Sequence, residues 1–207
     1  MSAAFAALAD QLAAVGRQCY ARGWVLGTSG NFSAVISRDP LRLAITTSGV
    51  DKGQLSASHI VEIDDRARVV AGTGTPSAEA SVHLTIVRAR GAGAVLHTHS
   101  IWGTLLSDAA TDGALAINGY EMLKALDGVR SHEHRELLPI LDNTQDWAAA
   151  APRIEAVLAK HPDAHGFLIR RHGLYTWGRD LADAKRQMEA LEFLLEVMGR
   201  QRDAAHP

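Results

Sequence analysis

His97 and His99 stand two positions apart, directly after the apolar run Ala94-Val95-Leu96. Side chains alternate along a strand, so this spacing turns both imidazoles to the same side. Two same-side histidines make half of a metal site. Neutral imidazole suits zinc, whose catalytic sites use three protein ligands and keep a fourth position open. From the pair alone another reading stays open, in which one histidine caps a helix and the other is a satisfied core residue. His172 is the candidate third ligand, because Arg171-His172-Gly173 lies between two strand-like runs and glycine at 173 permits a positive φ. His132 and His134 repeat the two-residue spacing, yet they lie among Arg130, Glu133, Arg135 and Glu136 and read as a solvated or substrate-facing loop. His59, His83, His161 and His165 are isolated and read as surface or core histidines.

Two glycine-bearing segments could receive an anion. Gly27-Thr28-Ser29-Gly30-Asn31 and Thr46-Thr47-Ser48-Gly49 combine backbone N–H groups in turns with hydroxyl donors, a pattern that cradles a phosphate ester. Neither is a Walker loop or a Rossmann fingerprint, and each taken alone equally reads as a plain turn. Ser77, at a predicted helix start, adds N–H donors and a favourable dipole, and Lys52 lies near enough to the second segment to add charge. Glu79 and Glu121 are the carboxylates set among weakly polar neighbours, and near a metal such a group can move protons. Glu79 equally serves as a first-turn acid of its helix, and Glu121 as a solvated helix residue. A partly dry setting for Glu121 among Tyr120, Met122 and Leu123 would raise its pKa and keep it protonated, as a general acid requires.

The elements that must position these groups follow from periodicity. Leu8, Leu12, Val15 and Cys19 mark an amphipathic helix that stops near Gly23. Residues 32–36 and 41–47 read as a hairpin around Asp39-Pro40, and residues 59–63 and 68–71 as two further strands. A helix with Ser77 as N-cap runs to Gly91, followed by a buried strand at 94–96 and a helix at 101–106. Helical character returns at 121–126 and 147–160. Residues 167–171 and 174–177 form a tight hairpin about His172-Gly173, and a last helix starts at Asp180 and frays after about Arg202. The simplest architecture is one layered domain of mostly antiparallel sheet covered by helices.

Composition narrows the partners. The chain has 207 residues, 47% of them hydrophobic, which is enough for a substantial core. A net charge of −2 supplies no basic field for nucleic acid. Cys19 is the single cysteine, so no internal disulfide or Cys-x-x-Cys exists, and the composition fits a reducing cytoplasm. The apolar start lacks a basic leader region, and no run reaches the ~20 apolar residues of a membrane span.

Taken in order, Gly27-Thr-Ser-Gly-Asn31-Phe-Ser33, Thr47-Ser-Gly49, Pro76-Ser77-Ala78-Glu79, His97-Thr-His99-Ser100 and Arg171-His172-Gly173 resemble the class II aldolase family of zinc-dependent sugar-phosphate enzymes, over nearly the whole chain. Within it, Gly119-Tyr-Glu121-Met-Leu-Lys-Ala-Leu126 and His172-Gly-Leu-Tyr-Thr-Trp-Gly178 look most like the branch that dehydrates methylthioribulose 1-phosphate in methionine salvage. The resemblance implies a single domain over residues 1–207, an α/β fold with three α/β/α layers around a mostly antiparallel sheet, and a homotetramer with sites between subunits. It implies one Zn²⁺ per subunit on His97, His99 and His172. It makes Glu79 the acid/base in the aldolases and Glu121 the acid/base in the dehydratase branch. The phosphate grip maps onto Gly27, Thr28 and Asn31, onto Thr47, Ser48 and Gly49, and onto Ser77. Ser77-Ala78-Glu79 replaces the usual Ser-Ser-Glu run and so lacks one hydroxyl donor. The expected reaction is a zinc-dependent dehydration, with aldol cleavage of a deoxyketose 1-phosphate and a non-catalytic scaffold as the alternatives.

Overall fold

The computed structural model describes residues 2–205. Helix α1 (Ala3–Ala21) is rich in alanine and leucine, and the Ser2 side chain caps it by accepting from the Phe5 N–H. Strands β1 (Asn31–Arg38) and β2 (Leu41–Thr46) form the expected hairpin, which β3 (Ile60–Asp64) and β4 (Val69–Ala71) extend. Two one-turn helices, Lys52–Gln54 and Ala57–His59, connect β2 to β3. Then come α2 (Ala80–Arg90), β5 (Ala94–Thr98), α3 (Ile101–Ala109), β6 (Ala114–Asn118), β7 (Arg135–Leu141), α4 (Trp147–Lys160), β8 (Gly166–Ile169), β9 (Gly173–Gly178) and α5 (Leu181–Ala205).

Among the described residues nine strands make one sheet, ordered β4-β3-β2-β1-β5-β9-β8-β7-β6. Neighbours are antiparallel except β7 and β8, whose parallel pairing requires the crossover through α4. Alternation along the strands divides the core. Leu43, Ile45, Val95, Phe167 and Tyr175 pack under α2 and α4. Ala44 and Leu96 face α1 and the start of α5, while Leu168 and Leu174 face α3 and the middle of α5. The result is the expected three-layered α/β/α arrangement on a mostly antiparallel sheet. No helix among the described residues is long and apolar enough to cross a membrane.

Several local expectations change. Helix α2 has Glu79 rather than Ser77 at its N-cap, because the Ser77 hydroxyl accepts from the Glu79 N–H while the Ser77 N–H is donated to Thr46 O. The segment expected to be helical at 121–126 forms a single tight turn, Glu121–Ala125, and α5 stays regular through Ala205. Gly173 does not adopt a positive φ; Arg171 does, at +55°. Glycine is needed at 173 because a Cβ there would lie 1.9 Å from the Thr98 carbonyl of β5. Strands β6 and β7 went unforeseen. Pro139 interrupts the β7 pattern and is accommodated opposite Ala114 of the edge strand β6.

Candidate metal and anion site

Strand register builds the site. Asn31 of β1 lies opposite His97 of β5, and His97 lies opposite Tyr175 of β9. The Tyr175 ring stacks on His97 with centroids 3.9 Å apart and 10° between planes. His99 follows just beyond β5, fixed by its N–H to Trp24 O. His172 occupies the turn between β8 and β9, which α3 grips from outside: Thr104 Oγ1 donates to His172 O, and Ser107 Oγ accepts from the Arg171 N–H. Glu79 enters from the start of α2.

The three Nε2 atoms converge, at 2.8 Å for His97 and His99, 3.0 Å for His99 and His172, and 3.3 Å for His97 and His172. Glu79 Oε2 stands 3.3 Å from His97 Nε2, and Oε1 stands 3.3 Å from His172 Nε2. His97 Nδ1–H donates to Leu174 O and His172 Nδ1–H to Asn143 Oδ1, so each Nε2 presents a lone pair. Burial, with the neighbouring histidines adding to it at His97 and His99, depresses all three imidazoles below their ordinary value and keeps them neutral. Converging lone pairs repel one another unless a cation accepts them. A tetrahedral zinc-class ion with bonds of about 2.1 Å needs its nitrogen ligands about 3.4 Å apart, close to what is found. The donor set therefore fits a divalent metal, with Glu79 as a fourth donor within reach.

A buried polar chain orients that carboxylate. Glu79 Oε2 accepts from Asn31 Nδ2 at 2.7 Å and from the Tyr175 hydroxyl at 2.6 Å. Behind Asn31, His83 Nε2–H donates to Asn31 Oδ1, and His83 Nδ1 accepts from Ser33 Oγ at 2.7 Å. Burial pushes the His83 imidazole down to about 4, so it stays neutral and runs the chain in one direction. His83 reads as isolated in the sequence, although its four-residue spacing from Glu79 places both on one helical face. Tyr175 carried no signal beyond its place on β9.

A cavity of about 280 Å³ opens beside the histidines, and both glycine segments line it. Thr28 and Asn31 come from the first, Thr47, Ser48 and Gly49 from the second, and Ser77 and Glu79 from the entry to α2. Gly27 shapes the first turn at φ +64°. Of the polar side chains, Asn31 is engaged with Glu79, Thr47 Oγ1 with His59 O, and Ser77 Oγ with the Glu79 N–H. Ser48 is exposed.

Glu121 does not join them. Its side chain is 70% exposed, ion-paired with Lys124 and 3.9 Å from His132. The Lys124 hydrogen bond holds its carboxyl below the usual range, which reverses the direction expected from a dry setting. The 132–134 segment is a turn with His132 and Glu133 exposed, as a solvated or substrate-facing loop requires, but His134 is tied down. His134 Nε2 meets Glu136 Oε2 at 2.9 Å, and the buried Glu136 receives His165 Nδ1 at 2.8 Å, so His165 is not isolated either.

The profile described as Class II Aldolase and Adducin N-terminal domain matches residues 10–198. The chain belongs to this class II aldolase and adducin family. A methylthioribulose-1-phosphate dehydratase of Marinobacter nauticus is 45% identical over 194 residues, covering 93% of this family member and 92% of its own length. One of Sorangium cellulosum is 43% identical over 197 residues, covering 94% and 92%. Among solved class II aldolase folds, an aldolase II superfamily protein from Pseudomonas syringae superimposes with a TM-score of 0.79 at 25% identity, over 99% of this chain and 78% of that one.

Proposed function

We propose that this class II aldolase family member is a lyase that removes water from 5-methylthioribulose 1-phosphate, giving 2,3-diketo-5-methylthiopentyl 1-phosphate in cytoplasmic methionine salvage. It works as one domain within a homotetramer and takes one zinc ion per subunit. The observation that carries this reading is the meeting of three histidine Nε2 atoms and Glu79 at a cavity walled by two glycine turns. Dehydratases of that name at 45% and 43% identity suggest the substrate.

His97, His99 and His172 would hold the ion, which supplies Lewis acidity to a substrate ketone. The turns at 27–31 and 47–49, with Ser77, orient the phosphate through N–H and hydroxyl donors. Loss of water then requires a base at the proton beside the ketone and an acid at the departing hydroxyl. Glu79 is assigned to the base, since Asn31 and Tyr175 fix one of its oxygens and leave the other beside His172. Glu121 is assigned to the acid. It is exposed on the single chain, so it acts in the site of a neighbouring subunit, where burial would separate it from Lys124 and restore its proton. As the C4–O bond breaks, that proton leaves with the hydroxyl as water, and the remaining enol ketonises.

Incubating the metal-loaded protein with the substrate and identifying the products tests the reading: the diketone should accumulate with no aldehyde. A second reading, aldol cleavage of a deoxyketose 1-phosphate, draws on the placement of Glu79 rather than Glu121 at the histidines, and it would release an aldehyde. A non-catalytic scaffold has no use for a converging donor set.

A further inference from the structure

Lys52 begins the one-turn helix Lys52–Gln54, where the Asp51 carboxylate caps the turn by accepting from the Gly53 N–H. The Lys52 residue is only 1% exposed and borders the 280 Å³ cavity. Nζ donates to Thr28 O and to Val50 O, each at 3.0 Å. Thr28 belongs to the first glycine turn and Val50 follows the second, so one ammonium ties the two turns together. Both acceptors are neutral carbonyls. An ammonium has three N–H donors, and a buried lysine normally has an anionic partner.

The charged and titratable groups around it do not fill that role. Asp51 acts on Lys52 through space while its side chain is used on Gly53. Across the cavity, Glu79 is held by Asn31 and Tyr175, and the neutral His99 and His172 face the same space. Burial without a close counter-charge pushes the Lys52 ammonium down to about 8.

We propose that Lys52 is the charge-bearing anchor for the phosphoryl group of the substrate, clamping the two turns through their carbonyls and giving its third N–H to a phosphate oxygen. The inference rests on the sugar-phosphate reading of this cavity and adds to it a source of positive charge in a site whose turns contain no arginine. It also makes phosphate affinity dependent on the Lys52 proton, so binding weakens as pH rises through about 8.

The test uses the metal-loaded protein with inorganic phosphate as the probe, in the unsubstituted form and as Lys52→Met and Lys52→Gln. Loss of one charge-assisted hydrogen bond should weaken phosphate binding about 10- to 100-fold. KM for the phosphorylated substrate should rise by a similar factor, with a smaller change in kcat and full metal content. Phosphate affinity of the unsubstituted protein should fall as pH rises through about 8, although the dianion fraction of inorganic phosphate rises over the same range, and the Lys52→Met profile should show no fall. Folded, metal-loaded variants that bind phosphate as tightly as the parent would overturn the proposal. If neither variant folds, the lysine side-chain resonances of the unsubstituted chain decide, since it has four lysines: a Lys52 signal unmoved by phosphate overturns the proposal and a shifted one supports it. Lys52-dependent phosphate binding in a protein that does not dehydrate methylthioribulose 1-phosphate would defeat the proposed function and leave this inference standing.

Discussion

The Tyr175 hydroxyl donates to Glu79 Oε2 across 2.6 Å, and the same ring lies flat on His97. One side chain thus orients a carboxylate and an imidazole together. Tyr175→Phe keeps the stacking and deletes the hydrogen bond to a charged group, worth about 2 kcal/mol. The expected outcome is normal metal content with kcat about tenfold lower, read by metal analysis and steady-state kinetics on one preparation. An unchanged kcat would mean that Asn31 alone holds Glu79.

Replacing His172 with alanine removes one of three converging nitrogens and should strip metal and turnover together. Full metal occupancy with normal turnover in His172→Ala would refute the ligand assignment.

Ser48 offers an exposed hydroxyl at the cavity, so Ser48→Ala should raise KM about 3- to 10-fold, as loss of a neutral hydrogen bond does, and lower kcat less. A KM equal to the parent's takes Ser48 out of the phosphate grip.

In the proposed function the two glutamates belong to different subunits of one site. Glu121→Gln should keep metal and substrate binding and lose at least ~10²-fold in kcat, while Glu79→Gln loses less. Mixed assemblies of Glu121→Gln and His99→Ala chains should regain activity, because each supplies what the other lacks. No recovery on mixing would place Glu121 outside the neighbour's site.

The Glu136 and His165 pair makes stability depend on pH. Burial alone would push the Glu136 carboxyl up and the His165 imidazole down, but their mutual hydrogen bond overrides it and leaves Glu136 below 4.5 and His165 above 6.5. The carboxylate's contribution is complete above pH 4.5 and is lost as pH falls through its folded value. The imidazolium's contribution is complete below pH 6.5 and is lost as pH rises through its folded value. His165→Ala should therefore cost most between pH 4.5 and 6.5, about 3 kcal/mol for breaking a buried pair, with the gap narrowing at higher pH in urea unfolding. A gap independent of pH would show that His165 is not charged.

What the sequence reveals here depends on how local the signal is. The same-side placement of His97 and His99 follows from period two, and the hairpin about His172 from its flanking apolar runs. The helix Trp147–Lys160 is likewise legible from its apolar face. Tyr175 is different: its importance comes from lying opposite His97 across two strands 75 or more residues apart in the chain, a register that no local pattern encodes. His83 becomes a link in a polar chain only once α2 covers Asn31. Strand β7 hides behind Pro139 and a charged start, and with it the buried role of Glu136. Glu121 stays exposed on the single chain because its apolar neighbours Met122 and Tyr120 are only partly covered, which leaves Lys124 to decide its charge there.

The donors at residues 79, 97, 99 and 172 come from a helix start, a strand end and a distant turn, and they meet only after β1, β5 and β9 have paired. A cation there recognises the finished sheet and has little affinity for the unfolded chain. It cannot seed collapse in the way that closely spaced ligands nucleate a zinc finger. Its effect falls on persistence: at a hundred times the dissociation constant, binding to the native state alone adds about 2.7 kcal/mol. With ligands brought together only by the completed pairing of three strands, that gain is expected as slower opening rather than faster refolding. Chelation should therefore shorten the lifetime of the native chain and leave its refolding rate unchanged.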